Sequence, residues 1–494
     1  MTLAPERGTE RAAGGPAPAP LPAGFAVRAS RRTRVAATDD GGLLLLGGTA
    51  GTVLRLSAAA ARRLPDGPRP GLVVRDPTDA RLARALLDAG MADPDLPPIP
   101  RDLAGVTVVV PVHEDAAGLA TLLAALPTAV AVVVVDDASA DPVRVAAVVA
   151  GRPGAVLLRH EVNAGPAAAR NTGLLAVGTP VVCFCDADVV PGPGAQWLER
   201  LLGHLDDPQV GLVAPRVTAL PPAHPAPEPW VAAYERARSS LDLGDLPAAV
   251  RPGGAVSYLP SACLLARTAA VADGFATAMR VAEDVDLVWR CVGAGWRARY
   301  EPAASVGHRH RTDPVAWLRR KAFYGSGAAL LAARHGDAVA PAVLAPWTAA
   351  TAVAVLAQRR WSAPVALGVA ALTTHRLAGR VPHAVHPHRV AARLVGSGLL
   401  ATAQQTAGLA LRHHWPLALT ACVVSRRARR ALVVAAVAEG LADRHRVGAT
   451  TDRVGYVAAH RLDDLAYGAG LWWGAVRARS PRALLPRWTT TRRR

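Results

Sequence analysis

Between residues 104 and 186 apolar runs alternate with helix-spaced stretches, and each run stops abruptly at polar residues. The runs 106–110 (Thr107 its only polar member), 130–135, 155–158 and 181–185 are continuous rather than alternating, which predicts strands buried on both faces. Between them, residues 116–126, 143–149 and 167–176 read as helices. This rhythm predicts an α/β domain over 103–335 with a mostly parallel sheet covered on both faces. Past the Pro-rich loop predicted at 220–229, the pattern becomes mixed.

The flanks differ from this core. Residues 1–23 are Pro/Gly/Ala-rich towards their end and are predicted to be disordered. A small α/β module is predicted over 24–97, from apolar runs at 24–27, 43–46 and 53–56, a helix from Ser57 and another over 79–89. Leu82, Leu86 and Leu87 lie at helical spacing there, and Gly90 is the stop. The alternation resembles the winged-helix peptide-recognition modules of the pyrroloquinoline-quinone chaperone type, in which a strand edge captures a precursor peptide. A packing module without a partner fits the same pattern. Four prolines within residues 93–100 predict a linker.

Residues 338–494 predict helices. Residues 338–358 carry no charge over 21 positions, enough for about 30 Å of hydrocarbon, although Pro341 and Pro346 interrupt them. Residues 394–411 add 18 uncharged positions containing Gln404 and Gln405. Helices embedded in or lying on a membrane, and a soluble helical lobe, both fit.

Charge sharpens this picture. The chain's net charge is +18, and from residue 338 onwards 22 Arg oppose 5 acidic residues, a net of +17. Nucleic acid and an anionic leaflet both attract such a region, but aromatic residues suited to base stacking are sparse, which favours the membrane surface over nucleic acid. Five cysteines form no C-x-x-C pair and fit a reducing compartment. Residues 1–15 contain no apolar signal segment. The expected location is the cytoplasmic face of the cell membrane, with the cytoplasm as the alternative.

Candidate chemistry gathers at strand ends. Pro111-Val112-His113-Glu114 follows the first strand and Asp136-Asp137-Ala138-Ser139 the second, with Asp141 beyond. Asn163-Ala164-Gly165-Pro166 follows the third, leading into Ala169-Arg170-Asn171-Thr172-Gly173, and Asp186-Ala187-Asp188 ends the fourth. Each alone reads as a turn, a cap or a helix surface. Together, at the carboxyl ends of an open sheet where ligands bind, they point to a phosphate-bearing ligand held through a hard divalent cation. Glu283-Asp284-Val285-Asp286 is a second acidic element. It reads as a helix amino terminus favoured by the dipole, or as the source of a general base.

These motifs, over residues 104–312, resemble the family 2 glycosyltransferases of the GT-A fold. The resemblance implies a Rossmann-like sheet and a nucleotide-sugar site. Pro111, Glu114 and Asp137 would contact uridine, with Asp136 supporting the turn and Arg170 beside the nucleotide. Asp186 and Asp188 would hold the ribose and a Mn²⁺ or Mg²⁺ ion on the diphosphate. Asp284 would be the base of an inverting reaction, giving a β-linked product. His308, in Val306-Gly307-His308-Arg309-His310-Arg311, would complete the metal shell, with His310 the alternative; packing or solvated imidazoles fit the same pattern. Leu259-Pro260-Ser261-Ala262-Cys263 resembles the acceptor-side loop. Processive members carry Q-x-x-R-W after the base, whereas this chain reads Trp317-Leu318-Arg319-Arg320-Lys321, which argues for a short product.

The whole-chain layout narrows the resemblance to members that glycosylate a peptide-derived redox cofactor. That implies glucose transfer from UDP-glucose onto a peptide-derived small molecule, building a short β-1,4-linked chain. Two alternatives are a membrane enzyme with a polyprenyl or glycolipid acceptor, and a non-catalytic scaffold binding nucleotide and peptide.

Overall fold

The computed structural model describes residues 19–48, 52–64, 69–220, 228–310, 312–381 and 384–489. Most of the segment expected to be disordered, and residues 221–227 of the expected loop, lie outside these. Taking the described residues, the chain divides into two compact units. One takes in the chain up to Arg32 with Leu64–Leu220 and Leu241–Arg309; the other takes in Thr33–Arg63, Pro221–Ser240 and His310–Arg494.

Eight short elements open the chain. They are β1 (Ala26–Ala29), β2 (Arg34–Ala37), β3 (Leu43–Gly47), β4 (Thr52–Leu56), α1 (Ala58–Ala61), β5 (Gly71–Val73), α2 (Pro77–Asp88) and β6 (Ala92–Pro94). Residues 24–97, expected as one module, are divided between the units. β1 pairs on either side with β5 and β6 in the first, whereas β2, β3 and β4 form a separate meander in the second. The physical reason is that Leu44 and Leu46 of β3 bury against Val381, Ala384 and Val390 of the second unit. β6 (Ala92–Pro94) runs into the stretch 93–100 expected to be a linker. Pro94 is tolerated there because β6 is an edge strand, paired only with β1.

The first unit continues with β7 (Val106–Val112), α3 (Ala116–Ala125), β8 (Ala131–Asp137), α4 (Pro142–Ala150), β9 (Ala155–His160) and α5 (Pro166–Leu175). Then come β10 (Val181–Cys185), β11 (Val189–Pro191), α6 (Gln196–Gly203) and β12 (Val210–Ala219). After α7 (Trp230–Arg238), which belongs to the second unit, follow β13 (Ala248–Val250), β14 (Cys263–Arg267), α8 (Glu283–Gly293) and β15 (Arg297–His308).

The nine strands form one sheet of order β11-β15-β12-β14-β10-β7-β8-β9, with β13 on β15. Six run in one direction and β11, β13 and β14 oppose them, so the sheet is mostly parallel. Val106, Val108, Val110 and Val112 share one face of β7 and pack in a core with Leu119 and Leu122 of α3 and Leu198 and Leu201 of α6. Burying each such side chain contributes roughly 1.5–3 kcal/mol. On the other face α5 lies close to the sheet at Gly173, where a Cβ would meet Val109 Cγ1 at 2.3 Å. The parallel register of β10, β7, β8 and β9 brings their carboxyl ends to one edge.

The second unit is mainly helical: α9 (Pro314–His335), β16 (Val343–Leu344), α10 (Pro346–Leu356), α11 (Ser362–Ala378), α12 (Pro387–Gly408), α13 (Trp415–Val424), α14 (Arg426–Arg446), α15 (Arg453–Arg477) and β17 (Arg487–Trp488). Helices α9 and α15 touch backbone to backbone, since a Cβ on Gly470 would sit 1.7 Å from the Ala322 carbonyl oxygen. The uncharged stretch 338–358 is not one helix. It yields the two-residue β16 and then α10, which starts at Pro346 because proline fits a helix only in its first turn. Among the described residues no helix is long and apolar enough to cross a membrane.

Candidate active site

The strand ends are locally strained. Glu114 after β7, Ala138 after β8 and Ala282 before α8 have φ of 61°, 60° and 62°. Left-handed backbone costs a side-chain-bearing residue about 1–2 kcal/mol, so it persists where the surroundings demand it. Three of the five such residues among those described therefore lie at this edge, the others being Gln358 and Arg479.

Hydrogen bonds stitch the strand ends together. The Glu114 N–H donates to Ser139 Oγ at 3.0 Å, and Glu114 Oε1 accepts from the Ala140 N–H at 2.8 Å. Asp136 is buried, accepts from the Ser139 N–H at 2.9 Å and pairs with Arg159. Asp137 is also buried. Its two oxygens accept from the Ala164 and Gly165 N–H groups at 2.9 and 2.8 Å, and Nδ1 of His160 lies 2.8 Å from Oδ1. Pro111, in β7 beside Val135 of β8, is half-buried.

Arg170, at 3% exposure, reaches across the site from α5. It donates to Asp186 Oδ1 at 2.6 Å and to Glu283 Oε1 at 3.0 Å, with its guanidinium 5.3 Å from the Phe275 ring centre. One cation therefore joins the strand-end Asp186 to the second acidic element. Burial pushes the Asp186 carboxyl up from its ordinary value, against the pull of Arg170.

Asp188 Oδ2 lies 3.3 Å from His308 Nε2, while Asp188 Oδ1 is buried without a hydrogen-bond donor. Burial pushes the Asp188 carboxyl up, but His308 and Arg309 outweigh it and hold it below the usual carboxylate range. A buried carboxylate oxygen lacking a donor is the ligand type a hard divalent ion such as Mn²⁺ or Mg²⁺ takes, although one ligand atom each from Asp186, Asp188 and His308 do not all lie within 4.8 Å of one another. The two imidazoles of the H-x-H pair diverge. His308 ends β15 beside Asp188, whereas His310 lies in the second unit, 3.8 Å from Glu235.

Asp284 sits in the first turn of α8, half-buried. Its oxygens accept from the Val285 N–H at 2.8 Å and from the Ser261 N–H, in the expected acceptor-side loop, at 3.4 Å. Burial, reinforced by the charge of Glu283, pushes its carboxyl up to about 7. A carboxylate near neutrality can take a proton at working pH. Asp286 differs: it is fully buried and paired with Arg290 at 2.9 Å, a helix-internal ion pair.

Sequence reasoning named Glu283 in the second acidic element without a role of its own, and did not single out Arg159 or His160. The last two end the apolar run of β9 as Leu158-Arg159-His160, the same polar stop seen on the other strands, and were legible on that ground. Beneath the aspartates, Cys183, Cys185 and Cys263 are free thiols packed in the apolar core, their sulfurs 4.0 and 3.7 Å apart in sequence along the row.

Comparison with known proteins bears directly on this edge of the sheet. Residues 107–224 match the family described as glycosyl transferase family 2. The chain is 46% identical over 477 residues to the pre-mycofactocin glycosyltransferase of Mycobacterium tuberculosis, covering 94% of this chain and 98% of that protein. It is 32% identical over 200 residues to an uncharacterized glycosyltransferase of Mycobacterium bovis, covering 39% of this chain and 81% of that one. A solved mannosyltransferase from Pyrobaculum calidifontis, in complex with GDP-Man and Mn²⁺, is 20% identical, with a TM-score of 0.37 over 62% of this chain and 88% of its own. On the near-full-length relative and the matched catalytic segment, the chain belongs to glycosyl transferase family 2, grouping there with the pre-mycofactocin glycosyltransferase.

Proposed function

We propose that this glycosyltransferase moves glucose from UDP-glucose, with inversion, onto the peptide-derived redox cofactor precursor pre-mycofactocin, and builds a short β-linked oligosaccharide. The observation that carries this reading is the Arg170 bridge, which gathers Asp186 and Glu283, and with Glu283 its neighbour Asp284, around one guanidinium. Pro111, Glu114, Asp136, Asp137, Arg170 and Asp186 form the nucleotide-sugar side. Asp186, Asp188 and His308 would hold Mn²⁺ or Mg²⁺, which when bound supplies positive charge opposite the departing diphosphate. Asp284 accepts the acceptor hydroxyl proton as the oxygen attacks the anomeric carbon, and a single displacement turns an α-linked donor into a β-linked product. The Arg excess of the second unit supports residence at the cytoplasmic face of the membrane.

The test is direct. Purified protein with UDP-glucose, Mn²⁺ and the peptide-derived acceptor is expected to give hexose-spaced products by mass spectrometry, β-configured by NMR. Asp284→Asn is expected to keep donor affinity and lose roughly 10²–10⁴-fold in turnover. Unchanged turnover in that variant would remove the base assignment. The many exposed apolar side chains of the second unit favour one second reading, a polyprenyl or glycolipid acceptor. Transfer of labelled sugar into a lipid extract, with none to the peptide-derived acceptor, would establish it.

A further inference from the structure

From residue 338 to residue 438 the chain contains 11 Arg and no Asp or Glu. The helices built from this stretch also leave large apolar side chains in solvent. The densest group lies where two turns meet: Gln358 Nε2, just after α10, donates to the Arg427 carbonyl oxygen at the start of α14 at 2.8 Å. Leu356 and Trp361 flank Gln358 and are 49% and 48% exposed; Val423 and Val424, which end α13, are 80% and 85% exposed. Arg359, Arg360, Arg426, Arg427, Arg429 and Arg430 interleave with them, all exposed and none in an ion pair among the described residues. Further along α14, Val433 and Val434 remain 62% and 60% exposed.

A face both strongly cationic and strongly apolar has a particular complement. Nucleic acid answers the arginines but offers valine and leucine no apolar volume. An acidic protein surface has the same shortcoming. An anionic bilayer surface answers both, with headgroup phosphates for the guanidiniums and the acyl boundary for the aliphatic side chains. Long arginine stems can lie along that boundary with their heads in the phosphate layer.

We infer that the corner formed by the α10–α11 and α13–α14 turns is a peripheral membrane-docking surface, in which Leu356, Trp361, Val423 and Val424 enter the acyl boundary of an anionic leaflet under a ring of six arginines. This rests on the reading that the second unit meets a membrane, and it supplies the mode: insertion from one side at a fixed corner. It accounts for exposed apolar residues in a chain whose described helices do not span.

Co-sedimentation of the full chain with vesicles tests it. Binding is expected to vesicles containing phosphatidylglycerol, weak binding to phosphatidylcholine alone, and release at about 0.5 M NaCl, where charges more than a few ångströms apart are screened. Neutralising Arg426, Arg427, Arg429 and Arg430 to Gln is expected to lower the partition on the order of 10²–10³-fold. Val423→Asp with Val424→Asp is expected to abolish insertion, read as loss of co-sedimentation with the anionic vesicles. Both variants should keep the wild-type melting temperature and transfer to a water-soluble acceptor. Folded variants that bind anionic vesicles like the wild type would overturn this corner while leaving the membrane reading standing. A wild type that binds no vesicle would remove both. A dimer in solution that dissociates in the double valine variant would make the corner a contact between copies instead.

Discussion

The two units differ in how completely their partly and fully buried charges are partnered. In the second unit buried charges are surrounded by partners. Lys321, the chain's only lysine and 3% exposed, donates to Ser240 Oγ at 2.9 Å and lies 2.8 Å from Glu235 and 3.3 Å from Asp463. Glu235 also accepts from Trp317 Nε1 at 2.7 Å, and Asp443 takes Arg238 at 2.9 Å and the Tyr456 hydroxyl at 2.7 Å. In the first unit the buried Asp136, Asp137 and Asp286 are partnered too, but two half-buried carboxylates keep capacity to spare: Asp188 Oδ1 has no donor, and Asp284 is held only by backbone N–H groups. A buried charge whose valences are filled by neighbours is framework. One whose valences are open is waiting for something outside the chain.

That contrast can be broken by mutation. The largest effect is expected at Asp188, where Asp188→Asn removes a charge that the fold does not need. Transfer should fall at least about 10²-fold, with the melting temperature only slightly lowered, because His308 and Arg309 favour the charge in the folded state and a partly exposed pair of this kind contributes only about 0–1 kcal/mol. Comparable loss of stability in this variant would make Asp188 framework. Lys321→Met should do the reverse. Leaving Glu235 and Asp463 without their cation is expected to cost about 3–5 kcal/mol in denaturant unfolding, with turnover per folded molecule unchanged. Undiminished stability would show the charge network to be dispensable.

The smallest effect, and the finest discriminator, is the pH profile. As the proposed base Asp284 would act only when ionised, and its carboxyl is pushed up to about 7. Log kcat/KM should therefore rise with pH through that value, giving about tenfold less at pH 6 than on the plateau. The sign for stability is opposite: a carboxyl raised in the folded state disfavours folding once pH exceeds its unfolded value. Asp284→Asn should then melt higher than the wild type at about pH 8. A profile flat from about pH 5.5 to 8 would place the proton acceptor elsewhere.

Much of the sheet was legible in the sequence because strands buried on both faces must be apolar throughout. The run 181–185 coincides with β10, and the polar stops mark the carboxyl ends of β7, β8 and β10. The short strands β2, β5 and β6 carried no such signal; the latter two are defined by pairing with β1 rather than by a pattern of their own. Nor could spacing reveal that Arg170 and Glu283, 113 residues apart, share a hydrogen bond. Alanine at 138 and 282 gives no hint of left-handed backbone, since that conformation is imposed by tertiary structure and not preferred by the residue. In residues 338–358 the absence of charge suggested a span, while two prolines decided the outcome by dividing it.

The guanidinium of Arg170 has a kinetic corollary. Its two ends are occupied by Asp186 and Glu283, so whatever engages Asp186 alters how tightly Glu283, the neighbour of Asp284, is tethered. On the proposed roles, arrival of the sugar donor at Asp186 would thereby be communicated to the acceptor side before the acceptor has bound. On those roles such wiring favours a compulsory order, nucleotide-sugar first and acceptor second.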